Sequence, residues 1–247
     1  MREKYKEELS SLNENLISMG KLIEVAIQQT VLALTEKNCD SAYAIMKNDD
    51  AIDSKEREIE QQCIKLLLQQ QPVAGDLRVI TSALKMVTDM ERIGDHASDI
   101  ADLIIKLPDF KYNGLENINK MSAEVISMLH NSLEAYISKD VSKALAVIAQ
   151  DDIVDDLFYS VKTSLVNEIK KSENGEQILD YLMIAKYFER IGDHATNIAE
   201  WAIFSITGQF KRYFRLNFTK FYVLFANTSL KTNQNFLYFS HKLMFYS

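Results

Sequence analysis

Glu91-Arg92-Ile93-Gly94-Asp95-His96-Ala97 returns, residue for residue, as Glu189-Arg190-Ile191-Gly192-Asp193-His194-Ala195. Seven identical residues in the same order mark a duplicated unit. Around the first copy, Leu77, Ile80, Leu84, Val87, Gly94 and Ala101 follow three- and four-residue steps or multiples of them, and Ile178, Leu182, Ala185, Gly192 and Ala199 hold the matching places around the second. That period predicts a helix in each copy. Met86, Met90, Ile93, Ala97, Ile100 and Ile104 form a second apolar row, repeated by Ile184, Phe188, Ile191, Ala195 and Ile198. A helix with two apolar rows packs on two neighbours.

Beside the apolar rows runs an acidic strip: Glu91, Asp95, Asp99 and Asp102 in the first copy, Glu189, Asp193, Asn197 and Glu200 in the second. Three- and four-residue steps bring these side chains to one helix face, where like charges repel by a few tenths of a kcal/mol per exposed pair. Such a strip invites a cation.

The 247 residues are 47% hydrophobic and include only 7 Gly and 2 Pro. Few turn residues and long helical periods point to an all-α chain. A row from Leu9 through Leu12, Leu16, Met19, Ile23 and Ala26 to about Leu34 predicts the first helix. Asp40 or Ser41 is placed to cap a second, which runs to Gln71 before Pro72. Ala74-Gly75-Asp76 opens the third, ending near Lys106-Leu107-Pro108. Pro108, Asn113 and Gly114 form a linker. The plan then repeats, with helices over about 116–139, 141–171 and 177–207. The expected architecture is two tandem, similar three-helix bundles, over residues 1–108 and 114–208, followed by an atypical segment, 209–247.

The net charge of −7 is unevenly placed. No Asp or Glu follows Glu200, whereas Lys211, Arg212, Arg215, Lys220, Lys231 and Lys242 do follow, so residues 1–207 are six units more negative than the whole, at −13. So acidic a body suits cations and disfavours nucleic acid. No long uncharged apolar run predicts a membrane span, and the mixed-charge start is no signal peptide, so the chain reads as cytoplasmic. Cys39 and Cys63 have no disulfide or metal-ligand spacing and read as buried reduced thiols. Residues 209–247, basic and aromatic without acids, read as an extension outside the repeated fold.

The second helices repeat as well: Asn48-Asp49-Asp50-Ala51-Ile52-Asp53 corresponds to Gln150-Asp151-Asp152-Ile153-Val154-Asp155. Asp49 and Asp53, Glu91 and Asp95, Asp151 and Asp155, and Glu189 and Asp193 are thus four acid-x-x-x-acid pairs. In each half, antiparallel second and third helices can set one pair against the other. Facing carboxylates make an all-oxygen site suited to Mg²⁺, Mn²⁺, Ca²⁺ or Fe³⁺. A single such pair is more often a solvated face; its fourfold recurrence favours metal.

Gly94 and Gly192 each cost a helix about 1 kcal/mol relative to Ala, which close approach of a second helix beside the acids explains. His96 and His194 read as packed or hydrogen-bonded side chains, and Arg92 and Arg190 as helical salt-bridge partners. No Glu-x-x-His pair, glycine-rich phosphate loop, zincin motif or nucleophile elbow is present. The chain therefore reads as a non-enzyme, with a metal-dependent hydrolase or oxidase and a metal-free helical scaffold as alternatives.

At the two heptapeptides, the four acidic pairs, Gln71-Pro72-Val73-Ala74-Gly75-Asp76-Leu77-Arg78 and Asn197-Ile198-Ala199-Glu200-Trp201, the chain resembles the PhoU family over about residues 5–208. The resemblance implies homo-oligomers and multinuclear metal clusters on each bundle, iron being the type case, with manganese, magnesium or zinc as other candidates. It carries the ligand role onto Asp49, Asp53, Glu91, Asp95, Asp151, Asp155, Glu189 and Asp193, with Asp99 and Asn197 one turn further. It also implies a regulator of phosphate uptake and of the phosphate-starvation response. That regulator acts negatively through contacts with the phosphate ABC transporter ATPase and a phosphate-sensing histidine kinase. It would be a homodimer that reaches the membrane only through its partners.

Overall fold

The computed structural model describes residues 2–69, 73–107, 114–169 and 175–209, all within one compact unit spanning Met1–Lys211. The expected extension lies, beyond Gln209, outside the described residues. The described residues form six helices: α1 (Arg2–Glu36), α2 (Cys39–Gln69), α3 (Ala74–Lys106), α4 (Leu115–Ser138), α5 (Val141–Ile169) and α6 (Gly175–Thr207). Among the described residues there is no strand. Most of the periodic positions are buried, whereas Leu77, at the start of its row, is exposed. Leu12, Leu16, Met19, Ile23 and Ile27 of α1 are fully buried, as are Met86, Met90, Ile93, Ala97 and Ile100 of α3 and Phe188, Ile191, Ala195 and Ile198 of α6.

The turns that reverse the chain between the first two helices of each half are built alike. Lys37 and Lys139 adopt left-handed backbone, at φ 55 and 57. Asn38 N–H then donates to the Ala33 carbonyl, and Asp140 N–H to that of Ala135, each at 3.0 Å. This is the six-to-one closure that satisfies a helix's last carbonyls. The next residue caps the following helix: Ser41 N–H donates to Asn38 Oδ1 at 3.0 Å, and Lys143 N–H to Asp140 Oδ1 at 3.1 Å. The α2 cap is therefore Asn38 rather than Asp40 or Ser41, since an Asn side chain accepts the first-turn N–H as well as either. Cys39 consequently falls on the first turn of α2 and is exposed, contrary to its expected burial, while Cys63 is buried and free. Burial pushes the Cys63 thiol up to about 12, with Glu60 adding to the rise.

Within each half the three helices pack on one another, and the halves then meet like against like: α1 on α4 and α3 on α6, with α2 and α5 outermost. The α3–α6 seam is the most extensive of these contacts. His96 and His194, equivalent residues of the two copies, meet there with ring centroids 5.5 Å apart. Duplicated bundles joined through the same face of each reproduce, inside one chain, the geometry of an isologous pair.

Over Tyr5–Glu36, α1 is long and apolar enough by length and composition to cross a bilayer. Its core row accounts for much of that apolarity, and Ile17, Leu22, Val25 and Leu32 leave a further apolar strip exposed.

Candidate metal centre

In the first half, α2 presents Asp49, Asp53 and Glu56 to Glu91 and Asp95 of α3. One oxygen from each of Asp53, Glu91 and Asp95 lies within 4.8 Å of the others, and all three side chains are half-buried. Their electrostatics record the crowding. Burial, then the Asp95 and Asp53 charges, push the Asp49 carboxyl up to about 6, against the lowering effect of a hydrogen bond from Ser98. Burial, followed by Glu91, Glu60 and Asp53, raises Glu56 to about 7. Glu91 is raised by burial and by Asp95. Burial also raises Asp95, and Arg92 partly offsets this. Desolvation and like charge both disfavour ionisation.

Cations touch this cluster only loosely: Arg57 Nη1 lies 3.8 Å from Asp53 Oδ2 and Arg92 Nε 3.5 Å from Glu91 Oε2. Both arginines are more than half exposed, so their pairing is weak. A donor set of carboxylate oxygens alone, on two facing helices, fits hard metal ions, whose charge would offset the repulsion.

Gly94 makes the approach possible. A Cβ there would stand 3.0 Å from two carbons of Ile52 and 3.4 Å from Asp49 Oδ1. In the second copy, a Cβ at Gly192 would meet Asp151 Oδ1 at 3.1 Å. The mid-helix glycines thus seat the first acid of the neighbouring pair, the close approach that the sequence suggested. Gly94→Ala should therefore destabilise the protein despite gaining about 1 kcal/mol of helix propensity, because overpacking costs about 1–3 kcal/mol. A urea-melt midpoint at or above wild type would show that Ile52 yields freely.

The second half assembles its acids differently. Asp151 is buried at 4% exposure beside Gly192, and Asp155 is half-buried on α5. Glu189 is ion-paired with Lys186, Nζ to Oε2 at 2.5 Å, and Asp193 lines an open cleft with Arg92, His96, Arg190 and His194. Among the described residues, no second trio of carboxylates converges as Asp53, Glu91 and Asp95 do.

Asp99 and Asn197 turn to the α3–α6 seam. Asn197 Nδ2 donates to Asp89 Oδ1 at 3.0 Å, the same oxygen that lies 2.8 Å from His194 Nδ1. Asp99 Oδ2 lies 3.5 Å from His96 Nδ1, and His96 packs on Tyr187 with centroids 5.3 Å apart. Both histidines are thus hydrogen-bonding and packing groups, as their sequence context suggested. Arg92 pairs with Glu91, whereas Arg190 lies over the Tyr187 ring at 5.9 Å. Sequence reasoning passed over Glu56 because a search for repeated acids finds Phe158 in its place. Its signal was the row Asp49, Asp53, Glu56, Glu60 at helical spacing.

A PhoU domain model matches residues 16–104 and 118–202. The phosphate-specific transport system accessory protein PhoU homolog of Clostridium acetobutylicum is 39% identical over 211 residues, covering 84% of this chain and 96% of that protein. The homolog from Aquifex aeolicus is 37% identical over 187 residues, covering 74% of this chain and 84% of that one. Among solved structures, the crystal structure of PhoU from Pseudomonas aeruginosa superposes with a TM-score of 0.78 at 33% identity, over 83% of this chain and all of that one. The phosphate transport system regulatory protein PhoU from Streptococcus pneumoniae gives 0.79 at 28% identity, over 84% and 99%.

Proposed function

Because this chain belongs to the PhoU family, we propose that it is a regulatory accessory protein of phosphate-specific transport, working through protein contacts and not as a catalyst. Its relatives are named accessory and regulatory proteins of that system. In this reading the protein restrains the phosphate ABC transporter through its ATPase and quiets a phosphate-sensing histidine kinase when phosphate is plentiful. It resides in the cytoplasm and reaches the membrane through those partners. The apolar strip Ile17, Leu22, Val25 and Leu32 on α1 supports self-association as a homodimer, and the acidity of residues 1–207 argues against nucleic acid as a partner.

The observation that carries the reading is the convergence of Asp53, Glu91 and Asp95 at the helix pair that bears the repeated motif. With Asp49 and Glu56 beside them, these residues hold metal ions, iron first, with manganese, magnesium or zinc as alternatives. A bound metal would supply positive charge that offsets the repulsion between the acids of α2 and α3, and these acids would then hold the outer helix α2 at a fixed spacing from α3.

Deleting the gene should raise phosphate uptake in phosphate-replete cells several-fold, and the wild-type chain supplied in trans should restore it. Uptake unchanged by deletion would sink the regulatory reading. Normal repression restored by a chain carrying Glu91→Gln and Asp95→Asn would separate regulation from metal.

A further inference from the structure

The duplication is faithful at the acidic pairs but not around them. On α2, Asp49, Asp53, Glu56 and Glu60 form one acidic row; the corresponding positions of α5 are Asp151, Asp155, Phe158 and Lys162. On the facing helices, Thr88 of α3 corresponds to Lys186 of α6, one turn before the acid of each heptapeptide. Two acids are lost from the second half and two lysines appear, all on the faces that surround its acidic pairs.

Lys186 uses that change. Its ammonium sits 2.5 Å from Glu189 Oε2 and 5.3 Å from the centroid of the Phe158 ring. Glu189 is only 13% exposed, while Lys186 keeps 36% exposure, so this charge-assisted hydrogen bond is shielded on its carboxylate side. The ring beneath adds a cation–π contact where the first half places the Glu56 carboxylate. In the matching place the first half has Thr88, which spends its hydroxyl on the Leu84 carbonyl at 3.4 Å, and its acids meet only the looser contacts of Arg57 and Arg92, at 3.8 and 3.5 Å.

We propose that the two acidic motifs are not equivalent, the first taking metal ions while Lys186 stands in the second as a resident cation, so that the chain is loaded on one bundle only. This rests on the metal reading above, and departs from the clusters on each bundle that the family resemblance implies. A metal ion entering the second half would have to displace an ammonium already bonded to Glu189, and would meet the Phe158 ring where the first half offers Glu56 as a fifth carboxylate. Repulsion between cation and lysine opposes that step, and no gain in donor atoms offsets it.

The test is Mn²⁺ titration of chelator-stripped, full-length protein by calorimetry, with elemental analysis of the loaded samples and circular dichroism to confirm helix content. Glu91→Gln with Asp95→Asn should reduce bound Mn²⁺ by tenfold or more, whereas Glu189→Gln with Asp193→Asn should leave it unchanged. Lys186→Thr with Phe158→Glu, which restores the first half's residues, should add binding equivalents, and Thr88→Lys alone should weaken the first site at least tenfold. Loss of about half the metal in each double-acid variant, or no gain from Lys186→Thr with Phe158→Glu, would overturn the inequality. Absence of Mn²⁺, and of any metal after purification, from the wild type would instead overturn the metal reading, and this inference with it.

Discussion

Asp53→Asn, Glu91→Gln and Asp95→Asn together should abolish metal-dependent stabilisation and leave a metal-free protein more stable than the metal-free wild type. The three carboxylates lie within 4.8 Å of one another. Their mutual repulsion is present whenever no cation is, and the amides remove it at almost constant shape. In the wild type, a ligand at a hundred times its dissociation constant stabilises by about 2.7 kcal/mol. At about 2–4 °C per kcal/mol for a chain of this size, metal should raise its melting temperature by about 5–10 °C and leave the variant unmoved. A variant that still responds to metal would place the site elsewhere.

The same crowding gives the metal-free wild type an unusual pH response. Asp49 is raised from 3.8 to about 6 and Glu56 from 4.5 to about 7, so the folded protein binds protons more tightly than the unfolded chain. Stability linked to these groups is fully present below the ordinary carboxylate range and is lost as pH rises through 6 and 7. The melting temperature of the stripped wild type should therefore rise as pH falls from 8 to 5, and the triple variant should show a smaller rise. A fall over that range in the stripped wild type would contradict the raised carboxyls.

Phe188→Ala should cost about 3–5 kcal/mol, the range for emptying a buried aromatic site. Phe188 heads the fully buried side chains by volume and lies in the second apolar row of α6, immediately before Glu189. Losing it opens a void beneath the residue that pairs with Lys186. The expected fall in melting temperature is about 6–20 °C. A loss below about 1 kcal/mol in a denaturant melt would mean that the helices collapse into the space. Met90 is the matching residue of the first half and is also fully buried.

What could be read without coordinates was what repeats. The twin heptapeptides and their apolar rows led to α3 and α6, and the acidic pairs led to Asp53, Glu91 and Asp95 on facing helices. Asp99 and Asn197, which the family resemblance sets one turn beyond the pairs, bond at the α3–α6 seam. A four-residue step turns about 40° past a full helical revolution, so two steps carry a side chain about 80° around the axis. That rotation takes Asp99 off the α2-facing side and onto the seam with His96. Glu56 and Lys186 were missed for the opposite reason: each exists in one half only, and a duplication hides whatever it did not copy. The exposure of Cys39 goes with a shift of the cap by two or three residues, from Asp40 or Ser41 to Asn38, a boundary difference that apolar periodicity cannot resolve.

Asp89 gives the duplicated fold a means of recognising its own other half. In a molecule whose halves meet like against like, the first half of one chain could dock on the first half of another. Asp89 corresponds to Tyr187, and Asn197 to Asp99. A first-with-first pairing would set Asp89 against Asp99, carboxylate to carboxylate. A second-with-second pairing would offer His194 and Asn197 a tyrosine in place of the shared carboxylate oxygen they now meet. A first-with-first pairing would keep a histidine, His96, beside Asp89 but add the Asp89–Asp99 repulsion, so the seam favours the pairing of unlike halves.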